Sequence, residues 1–133
     1  MVFTIMAANA LSSAPGPLGT KEAQAATYTT IKGTAIKTDT GDRVTGASVY
    51  LWRWNGSSWV DLGKKTTTNS YGNYAIYNVP TGYYYAVRGY KVYGSCFTGA
   101  AHYDGWSTTF YVPSTSTGVN AAIKMSFVGW FYC

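Results

Sequence analysis

Two stretches of the chain alternate apolar and polar residues with a period of two, which is typical of half-buried β-strands. They cover Gly33–Leu51 and Thr68–Val87. In the first stretch, Ala47, Val49 and Leu51 share one face, and the residues between them share the other. Since a shift of one residue would exchange the two faces, the pattern indicates which side is buried. We therefore expect strands whose aliphatic side chains build a core.

Residues that favour turns separate these strands. A glycine within Asp39–Asp42 can adopt a positive φ and allows the strand Ile31–Lys37 to reverse. Asn55-Gly56 favours a hairpin over residues 52–59. Pro80 ends a later strand because proline cannot donate a hydrogen bond to a sheet. The pattern predicts no helix of useful length.

The final third of the chain has a weaker pattern. We expect a loop at Gly94–Gly105, a strand at Trp106–Val112, a turn at Pro113–Gly118 and a closing strand at Val119–Phe127. Together with the earlier stretches this gives about seven strands, a number that suits one β-sandwich.

The glycines, aliphatic residues and corner residues of the two stretches resemble the motifs of a known family. This family comprises the transthyretin-like sandwiches called carboxypeptidase regulatory-like domains, with the related B-type repeats of collagen adhesins. The resemblance covers about Ile31–Tyr90, with Asn69 in place of the usual Asp and Val79 in place of Leu. The matching positions are Gly33, Ile36, Asp39, Gly41, Val44, Gly46, Ala47, Val49, Leu51, Thr68, Asn69, Gly72, Tyr74, Val79, Pro80, Gly82 and Tyr83.

The resemblance implies an all-β fold, a single transthyretin-like (Ig-like, Greek-key) β-sandwich over residues 27–133. It specifies the fold better than the function, because such sandwiches serve as accessory, adhesive, carbohydrate-binding or stalk modules.

Residues 1–26 differ from the rest and admit two interpretations. The small residues of Ala23-Gln24-Ala25 have the spacing of a signal-peptidase site, with cleavage between Ala25 and Ala26, after the apolar run Val2–Leu11. This predicts a cleaved leader and a secreted or cell-surface protein. In the second interpretation, Val2–Leu11 is an extension that forms a strand and completes the sheet of a neighbouring subunit.

Composition favours a small extracellular β-protein. Charged residues make up only 11% of the chain and aromatic residues 17%. The net charge is +5, but the basic residues are scattered along the sequence and form no dense stripe. We therefore expect no dedicated nucleic-acid binding. We also expect no transmembrane segment in the mature chain.

The chain offers little reactive chemistry. Its two cysteines, Cys96 and Cys133, predict one disulfide in an exported protein, and the alternative is two free thiols in a reducing compartment. The lone His102 completes no metal-ligand spacing with them, so neither a metal nor a cofactor is expected. His102 lies two residues from Asp104, but no nucleophile motif accompanies them. We expect both side chains to make structural hydrogen bonds and the protein not to be an enzyme.

Aromatic residues supply the remaining functional signal. If Val49 and Leu51 point inward, the neighbouring aromatic residues of that strand point outward. Large exposed aromatic patches mark contact sites, although cross-strand aromatic pairs also simply stabilise sheets. The predicted contact surface contains Tyr50, Trp52, Trp54, Trp59, Tyr83 and Tyr85.

Two functions follow from these observations. The first is a non-enzymatic secreted or cell-surface structural or adhesion subunit. It would bind other protein subunits and assemble with itself into an extracellular fibre through its N-terminal strand. The alternative is a carbohydrate-binding module whose surface Trp and Tyr residues bind an extracellular polysaccharide.

Overall fold

The structure is a computed structural model and describes residues 27–133. These residues form nine β-strands, and no helix among them is long and apolar enough to cross a membrane. The predictions for Val2–Leu11 and for cleavage between Ala25 and Ala26 lie outside the described residues. The strands are β1 Tyr28–Lys37, β2 Ser48–Trp54, β3 Trp59–Thr67, β4 Asn73–Pro80, β5 Tyr83–Ser95, β6 Gly99–Trp106, β7 Phe110–Val112, β8 Val119–Asn120 and β9 Ile123–Phe131.

The strands follow one hydrogen-bonded path in the order β3-β2-β5-β6-β9-β1-β4. β7 adds beside β5, and β8 adds beside β1. All pairs are antiparallel except those of β1 with β8 and β9. The two end strands, β3 and β4, lie next to each other without pairing. The all-β prediction is confirmed, and the sheet nearly closes on itself.

Strand β1 joins the two halves of this sheet by changing partners along its length. Its residues 28–34 pair with β4, and Ala35–Lys37 pair with β9. Gly33 lies just before the change, where a Cβ atom would be 2.0 Å from the backbone oxygen of Ala121. A glycine is needed here because any side chain at this position would collide with the backbone of Ala121.

The inward side chains meet in one core. Ala47, Val49 and Leu51 are fully buried, as the alternation predicted. On β4 the alternation continues through Tyr74 and Ile76 and then slips, because Asn78 adopts a positive φ of 57° and Val79 turns inward instead. The core consists of Ile31, Ala35, Val44, Ala47, Val49, Leu51, Tyr74, Ile76, Val79, Tyr85, Val87, Val112, Ala121, Ile123 and Met125.

The predicted number of strands was too small for two reasons. The expected closing strand Val119–Phe127 is divided into β8, of 2 residues, and β9, which continues to Phe131. The second reason is a strand, β6, in a segment expected to be a loop. The expected loop at Gly94–Gly105 is also wrong. β5 continues to Ser95, and β6 occupies Gly99–Trp106. Small residues such as Ala100 and Ala101 give a weak local signal, and pairing with β5 and β9 makes this segment a strand.

The expected strand at Trp106–Val112 is interrupted. Trp106 ends β6, and only Phe110–Val112 form β7. The Asp39–Asp42 turn and the 55–58 hairpin loop are confirmed, with Gly41 at a φ of 76°. In the hairpin, the side-chain oxygen of Asn55 accepts hydrogen bonds from the backbone N–H groups of Ser57 and Ser58, at 2.9 and 2.8 Å.

Candidate functional site

The outward side of β2, β3, β5, β6 and β7 carries a mainly aromatic surface, which we call the outer aromatic face. Trp54 lies opposite Trp59 on the neighbouring strand, with ring centroids 5.5 Å apart. Trp52 packs at the same centroid distance against Trp106 of β6. The face consists of Tyr50, Trp52, Trp54, Trp59, Tyr84, Arg88, Tyr90, Trp106 and Tyr111.

Three adjoining depressions cross this face. A mainly apolar one of about 370 Å³ is lined by Trp54, Trp59, Tyr84 and Thr109. A second of about 220 Å³ shares Trp59 and Thr109 with it and continues along Ala86, Trp106 and Ser107. The third, of about 390 Å³, is more polar and is lined by Tyr50, Trp52, Asp61, Arg88 and Tyr90. The packed rings of Trp52 and Trp106 lie between the third depression and the second. We call the three depressions together the groove, which has an aromatic end and a polar end.

An ion pair shapes the polar end. The guanidinium of Arg88 donates two hydrogen bonds to the carboxylate of Asp104, one of them from Nε to Oδ1 at 2.9 Å. The Asp104 carboxylate raises the pKa of Arg88, chiefly through this hydrogen bonding. The guanidinium also lies 5.7 Å from the ring of Trp106. Arg88 is therefore already paired, whereas the exposed Lys65 holds its ammonium group 5.7 Å from the centroid of the Tyr50 ring at the same end.

The indole of Trp52 has an unusual position in this groove. Its Nε1–H is buried and has no hydrogen-bond partner among the described residues. A buried donor without a partner loses its hydration without compensation.

The predicted contact residues do not all lie on this face. Tyr50, Trp52, Trp54 and Trp59 do. Tyr85 does not, because it is 0% exposed, and its hydroxyl donates to the backbone oxygen of Pro80 at 2.5 Å. Placing Tyr85 on the contact surface was wrong. That hydrogen bond satisfies the only polar atom of the side chain, which makes its burial in the core favourable.

Tyr83 is partly exposed but lies away from the tryptophans. Its ring packs edge-on against Tyr85 and lies beneath the guanidinium of Arg53, at 4.3 Å from the centroid. Tyr84 takes its place on the outer face, where it is 51% exposed and packs against Tyr111. The sequence does contain a signal for the burial of Tyr85. Side chains two residues apart in a strand point to the same side, so Tyr85 lies on the same side of β5 as the apolar Val87.

Sequence reasoning also missed Arg88, Trp106 and Tyr111. They come from strands separated along the chain, and Arg88 meets Trp106 only through the pairing of β5 with β6. No local pattern connects these residues. The contact of Trp106 with Trp52 depends on the strand order alone.

His102 and Asp104 have different partners. The Nδ1 atom of His102 lies 2.5 Å from the hydroxyl of Tyr90, and Asp104 binds Arg88. Both side chains therefore make structural contacts. Within residues 27–133 no group of three or more His, Cys, Asp or Glu residues is placed to hold a metal ion. That the protein is not an enzyme stays a prediction.

Cys96 and Cys133 form a disulfide in the structure, as the sequence predicts. A backbone hydrogen bond of 2.9 Å, donated by Cys133 N–H to Cys96 O, accompanies it. The disulfide connects the β5–β6 hairpin to the residues that follow β9.

Comparison with known proteins gives only structural likenesses. No family model and no curated protein matches the chain. Among solved structures, 5-hydroxyisourate hydrolase from Klebsiella pneumoniae is similar at 16% identity and a TM-score of 0.44, covering 80% of this chain and 94% of that protein. The 9R-lipoxygenase from Cyanothece PCC8801 is similar at 14% identity and a TM-score of 0.44. The shaft pilin SpaA from Lactobacillus rhamnosus GG is similar at 10% identity and a TM-score of 0.41.

The alignments with the lipoxygenase and with the pilin each cover 80% of this chain. The chain spans 18% of the lipoxygenase and 52% of the pilin. At these identities and TM-scores the likenesses assign neither a family nor an activity.

Proposed function

We propose that this protein is a non-enzymatic secreted or cell-surface structural subunit with a transthyretin-like sandwich. In this proposal it assembles with copies of itself through the strand formed by residues 2–11. One observation carries the proposal: β3 and β4, the two ends of the path, lie side by side but do not pair with each other. The two end strands of the path, β3 and β4, leave an unpaired edge each.

The proposed binding site for an extended segment is the surface where these two edges meet. It is a cleft of about 260 Å³ lined by Lys64, Lys65, Thr66, Ala75, Ile76 and Tyr77. The lysines belong to β3, and lysines on an edge strand oppose unspecific pairing. β4 carries no charged residue, and one of its backbone oxygens, that of Tyr77, accepts from Lys64 Nζ at 3.5 Å. In this proposal β4 is the edge that accepts the added strand.

The position of Thr27, the first residue that the structure describes, supports this proposal. Thr27 lies beside the end of β4, where its backbone oxygen accepts a hydrogen bond of 3.0 Å from Thr81 N–H. The 15 residues of 12–26 can span up to about 50 Å when extended. Residues 2–11 carry no charge and can therefore lie in a sheet beside apolar residues of β4.

A proline substitution in the full-length chain tests the assembly. Ile5→Pro removes a backbone donor within the added strand, and Ser13→Pro is the matched control outside it. Light scattering after size exclusion and electron microscopy should show large species or fibres for the unchanged chain and the control, and monomers for Ile5→Pro. Monomers in all three cases would contradict the proposal. So would a natural protein whose sequence starts at Ala26, because cleavage there removes the strand.

The outer aromatic face favours a second candidate function, the binding of a polysaccharide. Aromatic rings stack on the apolar faces of sugar rings, and the polar end of the groove offers hydrogen-bond partners for hydroxyl groups. The groove is open and elongated, which suits a polymer. The Arg88 guanidinium is paired with Asp104, and Asp61 adds a second carboxylate to the same end, so we propose a neutral glycan rather than an acidic one.

Electrophoresis in gels that contain a soluble polysaccharide tests this second function. We expect hydroxyethylcellulose to retard the protein and Trp54→Ala to weaken that binding about tenfold, the loss of one aromatic contact of about 1.4 kcal/mol. Trp130→Ala, a substitution outside the groove, serves as the control and should leave the retardation unchanged. Equal retardation of both variants would exclude the groove as the binding site.

A further inference from the structure

Three strands extend beyond the rest of the sheet. β5 pairs with β2 only as far as Tyr90, and β9 pairs with β1 only as far as Met125. Past these residues β5, β6 and β9 continue as far as the Ser95–Gly99 and Ala100–Phe131 pairs, and no further strand from residues 27–133 pairs with them there. We call the apolar residues of this extension the apolar tip: Val92, Phe97, Phe127, Val128, Trp130, Phe131 and Tyr132.

The apolar tip exposes large side chains to an unusual extent. Phe97 is 86% exposed, Tyr132 is 68% exposed and Trp130 is 61% exposed. Contiguous apolar exposure of this kind marks a contact site rather than ordinary surface. None of these residues belongs to the core, so packing of the core does not explain why they are large and apolar.

The aromatic residues cover both sides of the extension. On the side continuous with the core, Phe127 packs between Tyr103 and Trp130, with centroid distances of 5.6 and 5.9 Å. On the opposite side, Phe131 packs on His102 at 4.0 Å. Phe97 lies at the hairpin end between the two sides. A protein partner with a flat surface would cover only one side of the extension. A fluid lipid phase would surround the aromatic residues on both sides and at the end.

The disulfide holds this arrangement in place. Cys96 precedes Phe97, and Cys133 follows Tyr132, so the bond connects the hairpin end directly to the end of β9. Exposed aromatic residues at the end of a free strand would fray. Here their positions are constrained, which lowers the entropic cost of inserting them together.

The charges around the apolar tip favour an anionic surface. The segments 91–103 and 126–133 contain no carboxylate side chain. The neighbouring carboxylates are engaged, since Asp39 accepts a hydrogen bond of 3.0 Å from the Tyr103 hydroxyl and Asp104 binds Arg88. At the base of the extension, Lys37 and Lys91 hold their ammonium groups 4.4 and 5.4 Å from the ring of Tyr93.

We infer that the apolar tip inserts into the interface of a lipid bilayer, with Lys37 and Lys91 facing anionic headgroups. Trp, Tyr and Phe side chains prefer this depth of a membrane, and lysines behind them add attraction to acidic lipids. The bilayer covers both sides of the extension and its end at once. This membrane contact is independent of the assembly proposed through β4.

Sedimentation with vesicles tests the inference on the full-length chain. The vesicles contain phosphatidylcholine with phosphatidylglycerol at 3:1, and a second set contains phosphatidylcholine alone. We expect binding to the anionic vesicles, weaker binding to the neutral ones, and a loss of at least tenfold for Phe97→Ser combined with Trp130→Ser. Tyr71→Ser, which removes an aromatic residue that is 70% exposed elsewhere, should bind like the unchanged chain.

A second measurement locates the insertion. Brominated phosphatidylcholine should quench tryptophan fluorescence in the unchanged chain and in Trp54→Phe, but far less in Trp130→Phe. Absence of sedimentation with both vesicle types would overturn the inference, and so would equal binding of the tip variant. Self-association without lipid that the tip variant abolishes would also overturn it, because the partner would then be a second copy of the chain.

Discussion

Strands β2 and β5 have two faces that are both rich in large side chains, yet the two faces behave differently. On the inner face Val49, Leu51 and Val87 are 0% exposed. On the outer face Trp54 remains 36% exposed and Tyr84 51%. The comparison teaches that aliphatic residues identify the buried side of these strands. Aromatic residues do not identify it, because Tyr84 is 51% exposed and its neighbour Tyr85 is 0% exposed.

The apolar core should dominate stability. Leu51→Ala removes a fully buried side chain, and we expect the free energy of unfolding to fall by about 2–5 kcal/mol. Trp54→Ala removes a larger but half-exposed side chain and should cost about 1 kcal/mol or less, the contribution of one aromatic pair. Urea denaturation of both variants checks this. Equal losses would show that the outer face is part of the core and would break the comparison.

The disulfide should have the next largest effect. Its cysteines are 37 residues apart, and closing such a loop stabilises the fold by about 4 kcal/mol on the chain-entropy estimate. We expect Cys96→Ser combined with Cys133→Ser to lower the thermal midpoint clearly while β-sheet circular dichroism is retained. If the midpoint is unchanged, the end of β9 is held by its pairing with β6 alone.

The buried hydroxyl of Tyr74 should give the smallest effect, visible mainly at alkaline pH. Burial raises the pKa of Tyr74, whose phenol donates a hydrogen bond to the backbone oxygen of Ala121. The folded state thus keeps this proton more tightly than the unfolded state, whose phenol has a pKa of about 10. The stabilisation is complete below that pH and is lost as the pH rises above it.

Tyr74→Phe removes this titration. We expect the free energy of unfolding to fall by about 1 kcal/mol at pH 7, from the lost hydrogen bond, and to decline less steeply above pH ~10 than in the unchanged chain. Urea denaturation at several pH values measures both effects. The exposed Tyr71→Phe serves as control and should follow the unchanged chain. Parallel pH curves for the Tyr74 variant and the unchanged chain would assign the alkaline loss to other groups.

Local patterns predicted the first two thirds of the fold well. The alternation of Ala47, Val49 and Leu51 and the turn at Gly41 depend on neighbours in the chain, and the structure confirms them. The loop expected at Gly94–Gly105 is a strand because its partners lie far away in sequence. Tyr85 was misplaced because a buried backbone acceptor, Pro80 O, satisfies its hydroxyl.

The amino-acid sequence alone predicted that residues 27–133 are all-β and which residues line the core of β2, and it favoured a disulfide between the two cysteines over two free thiols. These features follow from period-two alternation, turn chemistry and cysteine number, all of which act locally or by elimination. Only the tertiary structure decided which aromatic residues meet. The outer aromatic face and the apolar tip both depend on strand order and on where each pairing ends, and such long-range contacts leave no periodic signal in the chain.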